Sequence, residues 1–170
     1  MVAIGQKVLG IDPGISNTGF GIVENRGGRL LALDGGVIET LPSEPLELRL
    51  AKIADRIREL IDLHSPESMA IESIYFGKNA ESAFLVGQAR GAVVCEAGRR
   101  GLAVTSYTPQ QIKLAVCGSG GAAKDQVQRM VAALLDLPGE LPPDHAADAL
   151  AVGICHVNAA PLAAALEGAA

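Results

Sequence analysis

At 170 residues, about half of them apolar, the chain can bury one α/β core without disulfides or a structural metal. Cys95, Cys117 and Cys155 are odd in number and lie 22 and 38 residues apart, which excludes a zinc-ligand spacing and leaves buried thiols in a reducing cytoplasm as the expectation. The net charge of −5 argues against nucleic acid until its distribution is seen: residues 1–75 carry 7 basic and 11 acidic side chains, residues 76–131 carry 7 and 3, and residues 132–170 carry none and 5.

Met1–Gly10 has no long apolar stretch behind a basic start, and nowhere does a charge-free apolar run reach the roughly 18 residues of a membrane helix. A soluble cytoplasmic protein is expected. Lys7–Asp12 reads as a strand entering an Asp-Pro-Gly turn. Thr18–Asn25 and Leu30–Ile38 read as two further strands joined by a hairpin turn at Arg26-Gly27-Gly28-Arg29. Leu46, Leu50, Ile53, Ile57 and Leu60 recur at helical spacing, which predicts an amphipathic helix over Pro45–His64.

Ser68–Ser73 is the fourth predicted strand, and Glu81–Arg100 a second helix whose internal Ala and Gly allow close packing on a sheet or a second subunit. Leu102–Tyr107 is the fifth strand. Thr108-Pro109 starts a short helix, Thr capping and Pro fitting the first position. After the loop Gly118–Gly121 come a helix over Lys124–Leu135 and a last one from Pro142-Pro143-Asp144 to Asn158. The Ala-rich segment 159–170 is expected to be a disordered tail. The order β-β-β-α-β-α-β-α-α-α predicts a single α/β domain over residues 1–158, a mixed five-stranded sheet flanked by helices.

Three acids stand in apolar or tight-turn contexts where a carboxylate is costly. Asp12 ends the first strand, Glu72 ends the fourth after Met69-Ala70-Ile71, and Asp148 lies in the first turns of the last helix between alanines. Each has an ordinary explanation as a turn former, a solvated strand end or a helix-dipole partner. Together they point to a divalent-cation site. His145 precedes Asp148 by three residues and shares its helical face, while Asp144 stands where an N-cap belongs. An oxygen-rich set with one nitrogen suits Mg²⁺ or Mn²⁺, and a pair of such ions about 4 Å apart would serve phosphodiester hydrolysis. His64 and His156 read as structural.

Leu9-Gly10-Ile11-Asp12-Pro13-Gly14, Thr18-Gly19-Phe20-Gly21, Ala70-Ile71-Glu72, Lys78-Asn79-Ala80-Glu81-Ser82-Ala83, Gly87-Gln88-Ala89-Arg90-Gly91 and Ala146-Ala147-Asp148-Ala149-Leu150-Ala151 resemble the RuvC resolvase family, in register from about Lys7 to His156. The resemblance implies an RNase H-like fold and a homodimer that makes paired nicks in four-way (Holliday) junctions, in DNA recombination and repair. It implies RuvA and RuvB branch-migration proteins as partners and two Mg²⁺ or Mn²⁺ ions per active site. By position, Asp12, Glu72 and Asp148 match the family's catalytic acids, and His145 takes a place where many members carry Asp. Tyr75 matches an aromatic position, and Lys113 and Lys124 match basic positions aimed at DNA. Phe76 beside Tyr75, and Lys78 and Arg90 in the shared motifs and the basic middle, complete the expected DNA-binding set.

Two other readings share these residues. Gly10-Ile11-Asp12-Pro13-Gly14 with Gly19 also resembles the first phosphate loop of actin-like and sugar-kinase ATPases, which use two such domains where 170 residues supply one. A nuclease of the same fold acting on RNA is the other.

Overall fold

The computed structural model describes residues 6–74, 77, 79–139 and 141–168, with the backbone alone for 160–167. Five strands and five helices follow in the predicted order: β1 Gln6–Asp12, β2 Asn17–Arg26, β3 Arg29–Glu39, α1 Leu46–His64, β4 Ser68–Glu72, α2 Ala80–Arg99, β5 Ala103–Tyr107, α3 Pro109–Cys117, α4 Lys124–Leu134 and α5 Asp144–Glu167. The strands form one mixed sheet in the order β3-β2-β1-β4-β5, antiparallel across β3-β2-β1 and parallel across β1-β4-β5.

Alternation along the strands divides the core in two. Leu9, Ile11, Ile22, Met69 and Ile71 face α1 and α2, whereas Val8, Val23 and Ala70 face α3, α4 and α5. In α1, Ile53, Ile57, Leu60 and Ile61 are buried at helical spacing, the pattern the sequence displays. The β2–β3 turn places Gly27 at φ 62 and Gly28 at φ 91, conformations that side chains with a Cβ adopt at a cost. Thr108 caps α3 through Gln111 N–H, and the Gln111 side chain accepts from Thr108 N–H, so the cap is reciprocal.

What positions the site is a glycine track beneath α5. Gly10 and Gly21 are register partners on β1 and β2. A Cβ on Gly10 would stand 2.2 Å from the Ala149 carbonyl oxygen, one on Gly21 2.6 Å from Leu150 Cδ2, and one on Gly19 1.9 Å from the His145 carbonyl oxygen. With no side chains there, α5 lies directly on the two strands, and its own Gly153 admits Val23 from below.

Two expectations need correction. The last helix does not end near Asn158 but continues to Glu167, where a disordered tail was expected. Alanine loses least entropy in a helix, and an existing helix propagates readily into an alanine-rich run. The thiols are free but not all buried: Cys155 is buried, Cys117 half-buried and Cys95 exposed on α2. Among the described residues, no helix is long and apolar enough to cross a membrane.

Candidate metal centre and its basic cleft

Asp12 and Glu72 end the adjacent parallel strands β1 and β4, whose register pairs Ile11 with Ile71, so the two carboxyl groups emerge side by side. α5 crosses above them with His145 and Asp148 in its first turns. Ligand atoms of Asp12, His145 and Asp148 all lie within 4.8 Å of one another. His145 Nδ1 stands 3.0 Å from Asp12 Oδ2. Glu72 stands outside the tightest trio, at the end of the strand beside Asp12, and lines one cavity with Asp148. The four predicted ligand positions therefore meet at one place.

The electrostatics are those of acids crowded without enough positive charge. Burial first, then the neighbouring Asp12, push the Glu72 carboxyl up to about 8. Asp148 is also raised, by burial and then by Asp12, with Lys124 and His145 acting in the opposite sense. A divalent cation would relieve both the repulsion and the lost hydration. Hard carboxylate oxygens with one imidazole form a donor set suited to Mg²⁺ or Mn²⁺, so the residues present fit the group.

Next to the acids lies a cavity of about 200 Å³ lined by Glu72, Asp148, Lys113 and Lys124, with Pro109, Ile112, Val127 and Ala151 as its apolar wall. Lys113 comes from α3 and Lys124 begins α4, so the two lysines that the family resemblance assigns to DNA line one cleft. Lys124 Nζ lies 3.3 Å from Asp144 Oδ2 and 3.8 Å from Asp148 Oδ2. Arg90 points elsewhere: its Nη2 donates to Ser106 Oγ at 2.6 Å and ties α2 to β5. Tyr75, Phe76 and Lys78 lie outside the described residues.

Asp144, read from sequence as an N-cap, is the first helical residue of α5, and its carboxylate accepts from Gln128 Nε2 on α4 instead. His64 Nε2 pairs with Asp34 Oδ2 at 2.8 Å. His156 is buried between Ser68 Oγ at 3.1 Å and Tyr107 Oη at 2.8 Å, which fits its structural reading.

Sequence reasoning missed Arg49. It is 7% exposed on α1, donates to Thr40 Oγ1 and Ser16 Oγ at 2.9 Å each, and has no carboxylate partner among the described residues. It braces the turn that follows Asp12. Its one legible signal is an arginine at the helical spacing of the apolar stripe, between Leu46 and Ile53.

A family profile described as Crossover junction endodeoxyribonuclease RuvC matches residues 8–156. The Crossover junction endodeoxyribonuclease RuvC of Moorella thermoacetica is 50% identical over 91% of this chain and 92% of its own length. That of Geobacter sp. strain M21 is 47% identical over 95% and 98%. The structure of T. thermophilus RuvC in complex with Holliday junction substrate superimposes with a TM-score of 0.89 at 39% identity, covering 93% of this chain and 96% of that one.

Proposed function

This chain belongs to the RuvC family of crossover junction endodeoxyribonucleases, and from that premise we propose how its cleft cuts a four-way junction. The protein is a nuclease with an RNase H-like fold that hydrolyses phosphodiester bonds of junction DNA. The reading of its site rests on one observation: Asp12, His145 and Asp148 gather within 4.8 Å, beside a cleft lined by Glu72 and two lysines.

Asp12, Glu72, His145 and Asp148 are the catalytic metal ligands of this reading. Two Mg²⁺ or Mn²⁺ ions held there would activate water and stabilise the leaving 3′-oxygen. Lys113 and Lys124 hold the strand's phosphates over the acids and offset their combined charge. Tyr75, with Phe76 beside it, stacks on a base opened at the junction centre, and Lys78 adds a phosphate contact.

Symmetric nicking calls for a homodimer, and α2 offers the surface. Phe84 is 66% exposed there, and Gly87, Gly91 and Gly98 recur along the helix with Phe84. RuvA and RuvB are its partners in branch migration, and the cytoplasm its location.

Incubation with synthetic four-way, three-way and linear DNA in Mg²⁺ or Mn²⁺ tests the reading, with ATP hydrolysis as control. Paired nicks confined to the four-way substrate are expected. Equal cutting of linear DNA, or ATP hydrolysis without cutting, overturns it.

A further inference from the structure

Asp144 belongs to none of the roles above, yet it is tied to the site from outside. Lys124 and Gln128 lie four residues apart on one face of α4, and both turn to the same carboxylate at the start of α5. Asp144 is exposed, with 62% of its side chain open to solvent, so neither packing nor burial accounts for this clasp. Its consequence falls on Lys124. The ammonium sits between two anions, 3.3 Å from Asp144 and 3.8 Å from Asp148, and these are its carboxylate partners among the described residues.

We propose that Asp144, itself held by Gln128, is a positioning residue that draws Lys124 away from Asp148 and so leaves that acid free to bind a divalent cation. A lysine paired with Asp148 competes with a cation for the same oxygens. Asp144 supplies an alternative partner on the rim of the cleft, about one helical turn from Asp148, and keeps the ammonium near the path of a phosphate. Without Asp144, Lys124 turns to Asp148, and an incoming ion must displace it. The proposal rests on the reading of the acid cluster as a cation site.

Calorimetric titration of Mn²⁺ into the full chain, without DNA, tests it in a cycle of Asp144→Asn, Lys124→Gln and the double variant. Asp144→Asn is expected to weaken Mn²⁺ binding about threefold, the scale of an exposed ion pair. Lys124→Gln removes the competitor and tightens binding by a similar factor. In the Lys124→Gln background, Asp144→Asn then changes nothing, because Asp144 acts through the lysine. Gln128→Leu, which alters no charge, weakens binding in the same direction as Asp144→Asn but less.

Equal weakening by Asp144→Asn in both backgrounds would mean a simple field effect of one lost negative charge and would overturn the proposal. So would unchanged Mn²⁺ affinity in the Asp144→Asn variant. Absence of saturable Mn²⁺ binding by the unaltered chain has a different meaning: it removes the cation-site reading itself. Matching unfolding temperatures across the set show that the variants are compared as folded proteins.

Discussion

At the scale of single residues, the site behaves as acids waiting for a cation, and Glu72 reports this most directly. Its carboxyl is raised to about 8, so near neutral pH the metal-free protein holds a proton there that the unfolded chain, with an ordinary value of 4.5, does not. That contribution to stability is complete below about 4.5 and is lost as pH rises through about 8. Cation binding needs the carboxylate, so apparent affinity should rise with pH up to about 8 and about one proton should leave per binding event near pH 7. Calorimetry in buffers of different ionisation enthalpy measures this, and equal proton release by Glu72→Gln and the unaltered protein would exclude Glu72 as its source. Replacing Asp12, Glu72 or Asp148 by its amide should abolish nicking and leave junction affinity within about threefold, since affinity comes mainly from phosphate contacts. His145 adds a softer nitrogen beside Asp12, 3.0 Å away. Mn²⁺ should therefore support cleavage at lower concentration than Mg²⁺, and His145→Asp should narrow the difference. The same Mn²⁺-to-Mg²⁺ ratio in both proteins would show that His145 does not set metal choice.

At the scale of elements, the site depends on how closely α5 approaches the sheet. Gly19 is where that approach is tightest, with the His145 carbonyl oxygen 1.9 Å from a would-be Cβ. Gly19→Ala should cost about 1–3 kcal/mol in unfolding free energy, the range of an overpacked core. It should also weaken Mn²⁺ binding, because the turn of α5 bearing His145 must lift. A Gly19→Ala protein with unchanged unfolding midpoint and unchanged Mn²⁺ affinity would show that the glycine track does not hold the ligands in place. The acids were legible in the sequence because a carboxylate among apolar neighbours is conspicuous. The track was legible only as family motif, since nothing in Gly10, Gly19 or Gly21 says which helix lies on them.

At the scale of the whole molecule, a chain of net charge −5 has to hold a polyanion, and two lysines of its basic middle, Lys113 on α3 and Lys124 on α4, reach the cleft beside the acids. Lys113→Ala and Lys124→Ala should each weaken junction binding and flatten the slope of log K against log salt by up to about one unit. An unchanged slope in both would mean that neither lysine meets a phosphate. Gly91, exposed on α2 with nothing within 4 Å of an added Cβ, separates folding from assembly. Gly91→Ala should stabilise the fold by about 0.5–1 kcal/mol through helix propensity. Gly91→Arg should keep the fold and split the proposed dimer, which sedimentation measures. A Gly91→Arg protein that remains dimeric would move the interface away from this face.

Alternation, helical spacing and turn residues determined the ten elements and their order from sequence alone, because these are local and each residue carries its own preference. The family motifs matched the four proposed ligand positions, Asp12, Glu72, His145 and Asp148, before any distance was known. What only the tertiary structure decided is long-range partnership. Asp144 fits an N-cap by local rule, yet its carboxylate is claimed by Gln128 and Lys124, which lie 16 and 20 residues away in the chain. Arg90 looked like one more basic residue for DNA and instead braces Ser106. Arg49 has no carboxylate partner among the described residues and is buried against the hydroxyl groups of Thr40 and Ser16. A charged side chain's preferences are met equally well by water, an anion or a neighbour, and only the packed arrangement of the elements determines which of these it meets.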